Sequence, residues 1–183
     1  LPCPARRIGR GGVMAFVVEN GSGNPAATSY LSIEEANDIL ALNIHITAEW
    51  AALVDADKER LLAWASRYLD ERTRWFGHRV NEASGLRWPR VGVIDRDGLL
   101  IASTVIPQQL KVAVAEMARF LMVADRSAER DQDGLARLKA DVIELEFREG
   151  YKLPKVPEHM QFILAGLGAV STGGGVRFKP SIR

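Results

Sequence analysis

Few side-chain groupings in this chain of 183 residues have the types and spacing that chemistry requires. Asp131, Asp133 and Gly134 follow part of a calcium-loop pattern, but Ala140 stands where that loop needs a bidentate glutamate. A surface turn is the better reading. Gly173, Gly174 and Gly175 lack the Lys-Ser/Thr that completes a phosphate-binding loop and follow a predicted helix rather than a strand, so they read as a hinge. His45, His78 and His159 are far apart and carry no Ser, Cys or carboxylate pattern of a nucleophile with its base. Glu34 and Glu35 belong to a helix start, and Glu144 and Glu146 alternate along a strand, so neither pair is arranged for acid-base work. Cys3 is alone, which removes an intrachain disulfide and any Cys/His zinc spacing. The expectation is a protein that is not an enzyme and uses no cofactor or metal.

The four tryptophans suggest a different chemistry, the stacking of unpaired bases, which needs aromatics exposed beside basic groups. Trp64 and Trp75 fall in the apolar arc of a predicted helix and are assigned to the core. Trp88 is different, because Arg87 and Arg90 flank it in a loop, and these three are candidates for contact with a partner subunit or with DNA.

The elements that must position these residues are mostly helical. Ser32 with Glu35 forms a capping box, so a helix starts there and buries Ala36, Ile39 and Leu40. Thr47 caps a short second helix carrying Trp50, and Asp55 caps a third. That third helix, about residues 57 to 76, places Leu61, Leu62, Trp64, Ala65, Tyr68, Leu69, Trp75 and Phe76 on one arc, with Ser66, Arg67, Asp70 and Arg74 opposite. Arg72 lies within the apolar arc and calls for an ion pair or a subunit contact. Gly77 ends the helix, and residues 78 to 106 form a long loop with a hairpin-like tip at Asp95-Arg96-Asp97-Gly98.

Ile106-Pro107 starts a further helix lined by Leu110, Val114, Met117, Ala118 and Leu121. Ile143, Leu145 and Phe147 alternate with Glu144, Glu146 and Arg148 as in a strand. Pro157 opens a last helix with Met160, Ile163, Leu164 and Leu167 on one face. The fold class expected is mainly α: a bundle of about four to five helices with a small β-hairpin or strand element and extended tails at both ends. Residues 1–29 form an extended entry, 30–170 the helical domain and 171–183 a flexible tail.

Charge and composition bound the function. The tails 1–13 and 171–183 hold six basic residues and no acidic one, which leaves 18 of the 24 basic and all 23 acidic residues in the body, a formal −5. No apolar run approaches the roughly 20 residues of a membrane span, and no secretory block opens the chain. A soluble protein made inside the cell, without a membrane partner, is expected. Arg10-Gly11-Gly12-Val13 before Met14 has the look of a translated ribosome-binding site, so natural synthesis beginning at Met14 is an expectation too.

Taken in order, Tyr30-Leu31-Ser32 with Glu35-Ala36, Trp50, Leu61/Ala65/Tyr68-Leu69-Asp70, Trp75 with Gly77, Leu86 with Trp88-Pro89-Arg90-Val91-Gly92, Asp97-Gly98, Ile106-Pro107 and Ala113/Ala115-Glu116/Ala118 form a pattern. It resembles the head-to-tail connector, or adaptor, proteins of tailed phages and prophages, many of which carry the label "DnaT-like single-stranded DNA-binding protein". The resemblance covers about residues 28 to 125 well and the C-terminal third loosely. It implies a structural virion protein, made in the bacterial cytoplasm and placed in the neck at the portal vertex. There it would form a ring of twelve copies under the portal protein, join a tail or head-closure protein, and pass double-stranded DNA through its lumen during ejection.

On that reading Val176, Arg177, Phe178 and Lys179 are the portal-docking candidates. Arg72, Arg87, Trp88, Arg90, Asp95 and Asp97 would contact neighbouring copies or the tail. An acidic body suits a conduit and counts against the label. The alternative is a replication accessory protein that binds single-stranded DNA, which requires salt-sensitive affinity for an oligonucleotide.

Overall fold

The Ser32 hydroxyl accepts the Glu35 amide while the Glu35 carboxylate accepts the Ser32 amide, so the predicted capping box starts helix α1, Ile33–Ala41. The computed structural model describes residues 15–45, 47–123, 137–140, 143–146 and 155–171. Among these, α1 is followed by α2 (Thr47–Ala51), α3 (Asp55–Arg72), α4 (Gln108–Val123) and α5 (Glu158–Leu164). The strands are β1 (Thr73–Trp75), β2 (His78–Arg79), β3 (Arg90–Val91), β4 (Arg137–Ala140), β5 (Ile143–Glu146) and β6 (Gly168–Val170). This is the mainly α fold with small β elements that the sequence predicts.

α3 and α4 form the centre of the bundle. Leu62, Ala65, Tyr68 and Leu69 of α3 are buried, as are Leu110, Val114, Met117, Ala118 and Leu121 of α4, together with Met160 and Leu164 of α5. Each face repeats at three and four residues, the spacing that puts side chains on one side of a helix. α1 adds Ala36 and Leu40, and α2 adds Trp50, whose Nε1 donates to Asn37 Oδ1 at 2.7 Å.

Three expectations change. α3 begins after Val54, not behind a capping Asp55, and Asp55 and Asp57 sit in its first turn, where carboxylates suit the positive end of the helix dipole. It also stops at Arg72. Thr73, Arg74 and Trp75 leave the helix as an extended strand with alternating burial, because their amides and carbonyls pair antiparallel with Gly168–Val170 from the far end of the chain. Trp75 and Phe76 therefore do not belong to the helical arc. Gly77, at φ +65°, closes the turn from β1 to β2 instead of capping the helix.

The stretch 78–106 is more ordered than a loop. β2 and β3 pair antiparallel, Ile94 bridges Leu100, and Asp95 Oδ1 accepts the amides of Asp97 and Leu99 to form the expected hairpin tip. β4 and β5 form a further antiparallel pair with Ala140 opposite Ile143. Phe147, the stretch from Asp131 to Gly134 that the sequence reads as a turn, residues 1–14 and residues 172–183 lie outside the described residues.

Before α1, the chain is pinned by a buried acid. Glu19 accepts the amides of Gly21, Gly23 and Asn24 at 2.8 to 2.9 Å, which closes the 19–24 loop and sets residues 15–29 alongside α3. Gly85 packs so closely on this segment that a Cβ there would lie 2.7 Å from the carbonyl oxygens of Pro25 and Ala27. The 85–90 segment is thereby drawn against both the entry segment and α3.

Candidate functional site

At 100° per residue, Ala56, Arg60, Ala63, Trp64 and Arg67 fall within an arc of about 100° on α3, at the edge of its buried face. These residues line one side of a groove of about 520 Å³ whose other walls are Ala15, Phe16, Ala27 and Thr28 of the entry segment and Gly85 and Leu86. Trp64 and Phe16 are partly exposed there, whereas Trp50, Trp75 and Trp88 are all buried. Trp64 is thus the described tryptophan that solvent or a ligand reaches. Arg60 and Arg67 stand about two turns apart along the same face, both exposed.

Each arginine already has a carboxylate neighbour. Arg60 lies 3.0 Å from Asp57 and Arg67 lies 3.7 Å from Glu71, in pairs whose side chains are largely solvated. Exposed pairs of this kind contribute about 0 to 1 kcal/mol, so an incoming anion displaces them at small cost. The groove is lined mainly by apolar groups, and its charged side chains are Arg60, Arg67 and Glu59.

The Leu86 wall is held by a polar network next to the groove. Asp70 accepts Tyr30 Oη–H at 2.8 Å, Trp75 Nε1–H at 2.9 Å and the Arg87 amide at 3.0 Å. The Trp88 amide donates to Tyr30 Oη at 3.2 Å. Burial pushes the Asp70 carboxyl up from 3.8 to about 6, against the hydrogen bonds from Tyr30, Arg87 and Trp75 that favour its charged form. Burial first, then the Asp70 charge, drives the Tyr30 hydroxyl well above its ordinary value, so it remains a donor.

Arg90 completes this part of the fold without a carboxylate. Its guanidinium donates to the carbonyls of Phe76, of Gly77 at 2.6 Å and of Arg87 at 3.1 Å, which ties the β1–β2 turn to the 87–90 segment. Burial lowers its pKa, and the nearby positive charges of Arg79 and Arg87 act in the same direction while Tyr30 and Asp70 oppose them. Arg79 faces Arg90 in the β2–β3 register. The Arg79 and Arg87 side chains are exposed, and neither has an ion-pair partner among the described residues.

The residues singled out from sequence are therefore dispersed. Trp88 is fully buried, with its ring edge-on to Trp75 at 6.0 Å, and Arg90 is 9% exposed, so neither forms the surface expected of that loop. Arg87 does reach solvent. Arg72 stacks on the Tyr68 ring, 3.6 Å from its centroid, and lies 3.4 Å from Glu71. Asp95 and Asp97 stand at the hairpin tip, where Asp95 is spent on the turn itself. Val176, Arg177, Phe178 and Lys179 lie outside the described residues. Asp70 was placed on the polar face of α3 and is instead largely buried, and Ser66 is buried beside it, bonded to the Tyr30 amide.

The Trp64 groove was missed because the helical arc does not distinguish its centre from its edge. The spacing Arg60, Trp64, Arg67, at i, i+4 and i+7, was the available signal. Among the described residues, no three His, Cys, Asp or Glu side chains are grouped to hold a metal ion, and no helix is long and apolar enough to cross a membrane.

No curated protein and no solved structure matches the chain. Residues 14–179 match the family model described as "Putative DnaT-like ssDNA binding protein". That description agrees with the alternative drawn from the sequence and not with a head-to-tail connector, so the connector reading, with its virion neck, portal partner and twelvefold ring, is corrected. The match extends through most of the C-terminal third that the sequence pattern covered only loosely, and the chain belongs to this DnaT-like family.

Proposed function

We propose that this protein binds single-stranded DNA in the groove between α3 and the entry segment, in an accessory role that involves binding rather than catalysis. The observation that carries this reading is the partly exposed Trp64 set between Arg60 and Arg67 in a mainly apolar groove, where two cations outnumber the single carboxylate of Glu59. An unpaired base offers a flat apolar face to Trp64 and Phe16, and such stacking is worth about 1 to 3 kcal/mol per base. Seven residues of helix separate Arg60 from Arg67, a rise of about 10 Å, which spaces two cations along a backbone rather than around one phosphate. In a duplex the bases are stacked on each other and their faces are not offered to a tryptophan, so the same groove favours a single strand. The family description supports this reading.

The test is fluorescence anisotropy of a labelled oligothymidylate titrated with the full chain near physiological salt, with a duplex of equal length as control. Salt-sensitive binding of the single strand is expected, and Trp64→Ala should weaken it roughly 5- to 150-fold, the equivalent of one stacked base. Absence of binding by the wild-type chain, or undiminished binding by the variant, would overturn the proposal.

A further inference from the structure

Beyond the groove, two guanidinia stand in an arrangement that the groove does not use. Arg87 follows Leu86, the residue that forms one groove wall, and its backbone is fixed because Asp70 accepts its amide and Arg90 Nη1 donates to its carbonyl. Arg79 sits across the β2–β3 pair at the Arg90 register position. Both side chains are exposed without an ion-pair partner among the described residues, unlike Arg60 and Arg67. Both act on the buried cation of Arg90, so three positive charges gather about the β2–β3 pair. Asp70, whose charge acts on Arg87 and Arg90, is itself held by Tyr30, Trp75 and the Arg87 amide. Like charges so placed repel one another, and an anion relieves that repulsion.

We infer that Arg87 and Arg79 form a second subsite, which takes the phosphodiester backbone of the strand where it leaves the Trp64 groove over Leu86. This rests on the single-strand reading of the groove. A strand that occupies both subsites gains charge contacts but no further stacking on Trp88, because that ring is fully buried. The second subsite therefore contributes salt-dependent affinity with little base preference, and it is reached only by oligonucleotides long enough to extend past the groove.

The experiment compares wild type with Arg79→Gln/Arg87→Gln on oligothymidylates of about 6 and about 20 nucleotides, which bracket the usual span of a small single-strand site. Binding is read by quenching of tryptophan fluorescence and by anisotropy across a salt series. For the longer oligonucleotide the double variant should flatten the slope of log K against log salt by about 1.4, the loss of two phosphate contacts. It should also lose the affinity gained on lengthening, while quenching by the short oligonucleotide is retained. Arg79→Lys/Arg87→Lys, which keeps both charges, should restore the slope.

An unchanged slope and length dependence in the glutamine variant would overturn the second subsite while leaving the groove in place. If the wild-type chain binds neither oligonucleotide, the groove reading fails and the subsite falls with it. Both side chains are exposed, and the single exchange Arg87→Gln, expected to remove about half of the slope change, provides an independent measure.

Discussion

Asp70 makes the stability of this fold depend on pH in a direction opposite to that of a salt-bridged carboxylate. Its carboxyl is raised from 3.8 to about 6, chiefly by burial. A native state with the higher proton affinity binds more protons than the unfolded chain between those two values, so stability from this group falls as pH rises through that window. It is fully favourable below about pH 4 and levels off above about pH 6. At about 1.4 kcal/mol per tenfold change in proton affinity, the window spans about 3 kcal/mol. Tyr30, the partner most tightly coupled to Asp70, is driven upward and stays protonated throughout.

The perturbation is Asp70→Asn, which keeps the size of the side chain and removes its titration. Urea unfolding of both proteins at several pH values from 4 to 7 gives two stability curves, and their difference isolates Asp70 from all other carboxylates. Wild-type stability relative to the variant should fall by about 2 kcal/mol across the series, because at pH 4 the unfolded-state group is already partly ionised. A flat difference, or one that rises with pH, would refute the reasoning. It would mean that the hydrogen bonds from Tyr30, Trp75 and the Arg87 amide outweigh burial and hold the group ionised.

Two further substitutions test the local structure. Ser32→Ala removes one half of the capping box and should cost about 1 kcal/mol by chemical denaturation, with Ser32→Asp recovering most of it. Gly77→Ala combines a left-handed φ of +65° with a Cβ placed 2.2 Å from the Val91 carbonyl oxygen. Gly92→Ala, at φ +75° with open space around it, carries the conformational cost alone, about 1 to 2 kcal/mol. Thermal unfolding should therefore show Gly77→Ala clearly below Gly92→Ala, and equal midpoints would contradict the close approach of that turn to β3.

Elements set by local signals are legible from residue types, while the candidate site depends on distant contacts. Ser32 with Glu35, the buried repeat of α4 and Pro157 before α5 are governed by neighbours within a turn or two, so their residue types suffice. Trp75 looked helical because its spacing fits the α3 arc. Its true state is set by Gly168, which no local pattern reveals. Asp70 looked solvent-facing by the same rule, yet its donors come from Tyr30 and Arg87, 40 and 17 residues away. Two flanking arginines point Trp88 to the surface, yet Arg90 turns inward to four backbone carbonyls and Trp88 is fully buried. Trp64 erred the other way, because the entry segment leaves the edge of α3 open as a groove.

The pairing of Thr73 with Val170 joins positions 97 apart in the chain, and the Ser171 amide donates to Arg72 at the same place. Closing a loop of that length costs about 4 kcal/mol of chain entropy before any contact rewards it. During synthesis, α1 and α3 are complete long before residue 170 has left the ribosome. β1 must therefore wait, and Trp75, which donates to Asp70, waits with it. The middle of the polypeptide thus reaches its final form only when the far end arrives, so a chain interrupted before Gly168 would retain its helices and lack the strand that ends α3.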